Sequence, residues 1–258
     1  MPEPHLLVER DGHVAVVTLN RPEARNALSG EMIARMADAW VEIDEDPGIR
    51  VAVVTGAGGH FCAGADLKAM AAGHPDDEWT PRFAADPDLH WKGLLRHFQP
   101  RKPLIAAVEG YAVAGGTEIL QAMDLRVAAE GAIFGVAEVR RGLFPLGGST
   151  VRLRRQIPYT IAAEILLTGK MFTGEDTAVM KAVEAANATI RHHAPRLDQL
   201  PAVLGQRVGA HRRGGQRPVI VDEARRTRGR GRRRGRRRPA ARGRRAAGRR
   251  APRRRRRR

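Results

Sequence analysis

Residues 103–120 read PLIAAVEGYAVAGGTEIL, which sets out a strand, a turn and the beginning of a helix. The apolar run Leu104–Val108 is typical of a strand buried on both faces. Two glycines, Gly115 and Gly116, then precede a helix-like run whose first turn contains an acid, Glu118. Because glycine loses much conformational freedom on folding, the pair indicates a place where another group must approach the backbone closely.

A second segment has the same design. Residues 51–67 read VAVVTGAGGHFCAGADL, a buried-type strand followed by small residues and the beginning of a helix. The first N–H groups of a helix have no partner within it, so two such segments that meet can aim N–H groups at one developing oxyanion. Either segment alone is equally compatible with a tightly packed strand–helix turn. Neither matches the phosphate-binding patterns G-x-x-x-x-G-K-[ST] or G-x-G-x-x-G.

Strands and helices alternate up to about residue 177, which predicts an α/β domain. The predicted strands are Val14–Leu19, Val51–Thr55, Leu104–Val108, Leu125–Ala128 and Ala132–Phe134. Ser29 is the predicted N-cap of a helix that runs to about Asp44, and residues 147–158 and 159–169 are predicted to form the last two helices. Residues 73–88 are polar, contain three prolines and are predicted to be a surface loop.

Charge divides the chain into two parts. Residues 1–181 contain 19 Lys and Arg and 24 Asp and Glu, a net charge of −5, whereas residues 182–258 contain 27 Arg and 4 acids, a net charge of +23. Residues 211–258 contain 24 arginines among 48 residues, a composition that cannot build an apolar core. We therefore predict a folded domain over residues 1–177 and a disordered, Arg-rich tail over residues 178–258.

Several classes of protein are disfavoured. The single cysteine, Cys62, cannot form an internal disulfide and fits a reducing compartment. A small packed thiol is the commoner interpretation of such a cysteine, and a reactive thiol is the alternative. The N-terminus has no apolar signal-peptide core, and no apolar run is long enough to span a bilayer. The nine histidines show no metal-ligand spacing. We expect a cytoplasmic protein without a metal or a membrane anchor.

Four stretches together resemble the crotonase (enoyl-CoA hydratase/isomerase) family in their order and spacing. They are NRPEARNALS (20–29), TGAGGHFCAGADLKAM (55–70), KPLIAAVEGYAVAGGTEILQAMDLRVA (102–128) and FGVAEVRRGLFPLGGS (134–149). The resemblance covers about residues 6–176. It implies a crotonase-like fold of ββα repeats that acts on an acyl-CoA thioester, with no cofactor because coenzyme A is part of the substrate. The family also forms homotrimers or hexamers through C-terminal helices, which residues 178–258 do not match.

The resemblance assigns roles to particular residues. The backbone N–H groups of Ala65 and Gly115 would form an oxyanion hole for the thioester oxygen. Glu118 and Glu138, twenty positions apart, would be the catalytic acid–base pair that moves protons between water and the α-carbon. Taken singly, Glu118 is also compatible with a solvated or capping acid near a helix start, and Glu138 with a surface acid.

The resemblance also implies a site for the CoA nucleotide. Ala65, Asp66, Leu67 and Lys68 would line it, with Lys68 near a phosphate; the alternative for Lys68 is a solvated helix residue. Asn26 belongs to the first matching stretch, where a turn-stabilising role is expected.

Retention of both acids favours hydration of a trans-2-enoyl-CoA to a 3-hydroxyacyl-CoA, as in β-oxidation of fatty acids or related acyl and steroid side chains. A double-bond isomerase of the same family is the alternative reaction. Val136, two residues before Glu138, and the pair Arg140 and Arg141 depart from many relatives and leave the acyl-chain specificity open. A different class is a nucleic-acid-binding protein on an inactive scaffold, since an Arg-rich tail binds polyanions non-specifically through counterion release.

A frameshift would account for the arginine-rich composition of the tail. No lysine follows Lys181, although a basic arm usually mixes lysine with arginine. Arginine, alanine, glycine and proline have GC-rich codons, so an out-of-frame reading of a GC-rich gene would produce this pattern. We hypothesise a frameshift near residues 172–180, which a fresh DNA read across codons 165–185 would test, and we expect weak or absent activity for the chain as written.

Overall fold

The computed structural model describes residues 3–73 and 77–173, together with the backbone of residues 218 and 219. The strands are β1 (Leu6–Asp11), β2 (Val14–Leu19), β3 (Val51–Gly56), β4 (Leu104–Val108), β5 (Tyr111–Val113), β6 (Leu125–Ala129), β7 (Ile133–Gly135), β8 (Phe172–Thr173) and β9 (Pro218–Val219). The helices are α1 (Gly30–Glu45), α2 (Leu67–Ala72), α3 (Thr80–Ala85), α4 (Leu89–Gly93), α5 (Gly115–Leu120), α6 (Ser149–Gln156) and α7 (Tyr159–Thr168).

Two sheets organise the described residues. The larger sheet has the order β1-β2-β3-β4-β6-β9, in which β2, β3, β4 and β6 are parallel and the two outer strands are antiparallel. The smaller sheet has the order β5-β7-β8. The chain passes from β4 in the large sheet to β5 in the small sheet and then into α5, and it repeats this path through β6, β7 and α6. This alternation confirms the α/β fold and gives the ββα repeat that the sequence predicts.

The core lies between the large sheet and the helices. All five residues of β4 are buried, as expected for a parallel strand covered on both faces. Helix α1 begins where the sequence predicts: the Ser29 hydroxyl accepts a hydrogen bond from the Met32 N–H at 3.1 Å. The apolar face of α1 is buried, and the indole N–H of Trp40 donates to the Gly93 carbonyl at 2.9 Å.

Two local predictions need correction. Strand β1 was not predicted, because only Leu6 is buried in this edge strand and its sequence carries no apolar alternation. The loop predicted over residues 73–88 contains helix α3. The Asp77 carboxylate accepts hydrogen bonds from the N–H groups of Trp79 and Thr80 at 3.0 and 2.9 Å, and Pro81 occupies the first turn, where a missing N–H costs nothing.

The Arg-rich tail predicted over residues 178–258 lies outside the described residues, apart from β9. There, Pro218 and Val219 pair antiparallel with Ala129 and Ala128 of β6. Within the described part of the chain, no helix is long and apolar enough to cross a membrane.

Candidate active site

The turn between β5 and α5 presents backbone N–H groups at one end of the small sheet. Ala114 caps α5 with φ 50° and ψ −124°, a sparsely populated conformation that costs a residue with a Cβ atom about 1–3 kcal/mol. Its side chain supplies no cap, so the first turn of α5 keeps unpaired donors. Among the described residues, the Gly115 N–H has no hydrogen-bond acceptor.

The two glycine-rich segments meet at this turn. A Cβ atom on Gly64 would lie 3.2 Å from the Gly115 nitrogen, and a Cβ atom on Gly115 would lie 3.8 Å from the Ala65 nitrogen. A bridge between Cys62 and Ala112 holds the first segment against β5. Within the described residues the Ala65 N–H also has no acceptor, so the structure brings the two predicted oxyanion-hole donors side by side.

The glycine pair also has a packing role. A Cβ atom on Gly116 would collide with the carbonyl oxygen of Cys62, so this position admits only glycine. As residues, Gly115 is partly exposed and Ala65 is exposed. The turn therefore combines tight packing at Gly116 with two N–H groups, those of Gly115 and Ala65, that have no acceptor among the described residues.

Glu118, in the first turn of α5, is buried and held by backbone groups. It is 4% exposed, and its Oε2 and Oε1 atoms accept hydrogen bonds from the N–H groups of Gly147 at 2.9 Å and Ser149 at 3.0 Å. Ser149 begins α6, so the helix dipole also favours the negative charge. The carboxylate is thus not a solvated acid: it is anchored across 31 positions of the sequence to the start of another helix.

Glu138 is held differently. It lies in a short 3-10 turn after β7, and its buried Oε2 atom has no hydrogen-bond partner among the described residues. Burial raises the pKa of its carboxyl to about 7; a backbone N–H opposes the rise, and the nearby Glu118 carboxylate adds to it. One acid is therefore fixed by two donors, while its neighbour can hold a proton near neutral pH. The flanking Arg140 and Arg141 are exposed, whereas Val136 is in the core.

The predicted CoA-nucleotide residues separate into two groups. Asp66 serves the fold: its carboxylate caps α2 by accepting from the N–H groups of Lys68 and Ala69, both at 3.1 Å, and it pairs with Arg21 at 3.1 Å. These contacts, led by the Ala69 N–H, lower the pKa of Asp66. Leu67 and Lys68 are exposed beside it, where a ligand can reach them.

Two predictions near the first glycine-rich segment are confirmed. Asn26 is buried and stabilises its turn: its Oδ1 accepts from the Arg21 N–H at 2.8 Å, and its Nδ2 donates to the carbonyls of Ala57 and His60 at 2.9 and 2.7 Å. Cys62 is a packed thiol of the core with no exposed surface, and this burial raises its pKa to about 12.

Sequence reasoning missed the groups that hold Glu118. The N–H groups of Gly147 and Ser149 have no side-chain signature, and the only sequence signal was the Gly-Gly-Ser start of a predicted helix. Arg152, in the first turn of α6, donates to the Gly147 carbonyl at 3.2 Å and was also missed. In the described residues no group of three or more His, Cys, Asp or Glu side chains could hold a metal ion.

Comparison with known proteins identifies the family. The sequence profile of the enoyl-CoA hydratase/isomerase family matches residues 9–200, and the chain belongs to this family. It is 52% identical over 177 residues to the enoyl-CoA hydratase EchA19 of Mycobacterium tuberculosis, covering 69% of this chain and 66% of that protein. It is 42% identical over 170 residues to an (E)-benzylidenesuccinyl-CoA hydratase of Thauera aromatica, covering 66% and 64%.

The fold agrees with this assignment. A crystal structure of an enoyl-CoA hydratase from Mycobacterium tuberculosis matches with a TM-score of 0.62 and 39% identity, covering 81% of this chain and 82% of that one. This likeness supports the crotonase-like fold. The chain spans a little under two thirds of the length of the two curated relatives. The family match continues to residue 200, past the domain boundary predicted at residue 177, so that boundary stays a prediction.

Proposed function

We propose that the protein adds water to a trans-2-enoyl-CoA to give a 3-hydroxyacyl-CoA. The contrast between the two acids carries the proposal. Glu118 is fixed by two N–H groups, whereas Glu138 has a buried oxygen with no partner among the described residues and a pKa of about 7. Paired carboxyls in such different environments suit a base and an acid acting on one substrate.

In the proposed reaction the thioester oxygen lies between the N–H groups of Ala65 and Gly115, which stabilise it as it gains enolate character. The Glu118 carboxylate orients a water molecule and takes its proton as the water oxygen bonds to the β-carbon. The electrons of the double bond move towards the thioester, and the Glu138 carboxyl then protonates the α-carbon. One water is added, and a return of the proton from Glu118 to Glu138 through solvent restores the pair.

The substrate is anchored by its CoA part. Exposed Leu67 and Lys68, beside the Ala65 N–H, are the proposed contacts for the nucleotide, with the Lys68 ammonium near a phosphate; Asp66 contributes by capping α2. We place the reaction in β-oxidation of fatty acids or related acyl groups, in the cytoplasm and without a cofactor. A homotrimer or hexamer is the family arrangement, and its loss would explain the weak activity expected of this chain.

The test is a hydration assay on the full chain at high enzyme concentration. Loss of the conjugated enoyl absorbance, with a 3-hydroxyacyl-CoA identified by mass spectrometry, is the expected result. Glu118→Gln and Glu138→Gln should each lower the rate by about 100-fold or more, and Glu130→Gln, at an exposed glutamate, should leave it unchanged. Full activity in both active-site variants would exclude the proposed pair.

The same assay separates the alternative reaction. A double-bond isomerase would convert a 3-enoyl-CoA and raise the conjugated absorbance without incorporating oxygen from labelled water. A basic-tailed nucleic-acid-binding protein would instead bind RNA or DNA with a steep loss of affinity in salt and show no turnover.

A further inference from the structure

Arg152 connects the catalytic region to a separate part of the fold. It lies in the first turn of α6, and its guanidinium donates from Nη1 to the Gly147 carbonyl at 3.2 Å and from Nη2 to the Leu95 carbonyl. Leu95 follows α4, 57 positions away in the sequence. Arg152 therefore joins the loop before α6 to the end of α4.

Arg152 binds the carbonyl of Gly147, the same residue whose N–H donates to Glu118. Gly147 gives its carbonyl to Arg152 and its N–H to Glu118 Oε2 at 2.9 Å. A Cβ atom on the next residue, Gly148, would lie 2.8 Å from Arg152 Nη1, so the guanidinium packs closely against this loop. Fixing the loop fixes both N–H donors that orient the carboxylate.

Leu95, whose carbonyl accepts the other hydrogen bond from Arg152, is also constrained. Leu95 is 1% exposed and has φ 56°, a left-handed conformation that is costly for a residue with a Cβ atom. A buried side chain in a strained backbone conformation leaves its carbonyl little freedom to move, and Arg152 is anchored on that carbonyl.

The charge of Arg152 also interacts with the Glu118 carboxylate. Burial lowers the pKa of its guanidinium, the Glu118 carboxylate opposes that effect, and Arg96 adds to it. Glu118 is faced by the cation of Arg152 from α6 and by Glu138 from the 3-10 turn. Arg152 is therefore a cation close enough to Glu118 for their charges to interact.

We infer that Arg152 is a positioning residue for the proposed hydration: by joining the Leu95 and Gly147 carbonyls it holds the two N–H donors that orient Glu118. Only the kinetic part of this inference, the effect on kcat and KM, rests on the proposed function. It does not require Arg152 to touch the substrate. Loss of Arg152 should therefore lower kcat and leave the KM for an enoyl-CoA nearly unchanged.

The kinetic test compares Arg152→Gln, Arg152→Lys and the matched control Arg155→Gln, at an exposed arginine of the same helix. We expect Arg152→Gln to lower kcat by about 100-fold with KM within about threefold, since small misplacement of a catalytic group has effects of this size. Lysine keeps the charge but lacks the planar fork that reaches two carbonyls, so Arg152→Lys should recover part of the loss. A kcat for Arg152→Gln equal to that of the parent would overturn the inference.

A second measurement does not depend on turnover. Amide hydrogen exchange at Gly147 and Ser149 should become faster in Arg152→Gln while exchange in β4 stays unchanged, and Arg152→Lys serves if the glutamine variant does not fold. Unaltered exchange at both amides would overturn the inference. If the parent hydrates no enoyl-CoA, the proposed function fails, and the exchange experiment still decides whether Arg152 holds the loop.

Discussion

Substitution of Gly147 by alanine tests how Glu118 is held. An added Cβ atom would lie 2.6 Å from Glu118 Oε2, 2.9 Å from its Cδ and 3.1 Å from its Cβ. Three atoms along one side chain are too close, so a small rotation of the carboxylate cannot relieve the collision. Because Glu118 is only 4% exposed, it must move away from the Gly147 N–H within a packed environment.

The size of the effect follows from the contacts that are lost. A hydrogen bond to a charged group is worth about 1.5–3 kcal/mol, and overpacking of a buried site costs about 1–3 kcal/mol. If the lost hydrogen bond acts in the transition state, kcat should fall by about 10- to 150-fold. The free energy of unfolding should fall by a similar number of kcal/mol, because the collision also strains the folded state.

Gly131→Ala is the matched control. Nothing lies within 4 Å of a Cβ atom at Gly131, which is exposed, so its kcat and stability should match the parent. The assays are enoyl-CoA hydration and urea unfolding followed by circular dichroism. A Gly147→Ala protein with a kcat within about twofold of the parent and unchanged stability would refute the proposed anchoring of Glu118.

Three further predictions concern pH, turn structure and thiol reactivity. Because the pKa of Glu138 is about 7 in the folded protein against an ordinary 4.5, the folded state binds more protons between these values, and stability should fall as pH rises through this window. Glu138→Gln should remove that loss. Its free energy of unfolding should exceed that of the parent by up to about 3 kcal/mol at pH 8 and should equal it near pH 4. A variant that is more stable than the parent by the same amount at both pH values in urea unfolding would contradict this. Asn26→Ala removes three hydrogen bonds from a buried turn and should cost about 2–4 kcal/mol, measured by the same unfolding experiment; a loss below about 0.5 kcal/mol would show that the turn does not depend on the amide. Cys62, with a pKa of about 12 and no exposure, should resist a thiol-specific disulfide reagent at pH 8 in the native protein and react fully in urea, and rapid native labelling would contradict its packing.

Much of the fold could be predicted because local patterns and tertiary packing agree. The apolar run of β4 could only be a buried strand, and the Ser29 cap with its apolar stripe could only begin a helix against the core. Where local pattern is weak, prediction failed: β1 is an exposed edge strand, and α3 depends on the Asp77 cap within a proline-containing segment. Short elements of this kind are stabilised by neighbours that a sequence window does not contain.

The sequence by itself identified the candidate chemistry-bearing residues of this protein. Four stretches of sequence resemble the crotonase family in their order and spacing, and that resemblance pointed to Ala65, Gly115, Glu118 and Glu138. Only the tertiary structure decided how the two acids differ. Glu118 is fixed by N–H groups 29 and 31 positions away, whereas Glu138 has a buried oxygen that finds no partner in the described part of the chain. Burial and backbone donors depend on segments distant in the chain, so two glutamates that are the same residue in the sequence acquire different environments only when the chain folds.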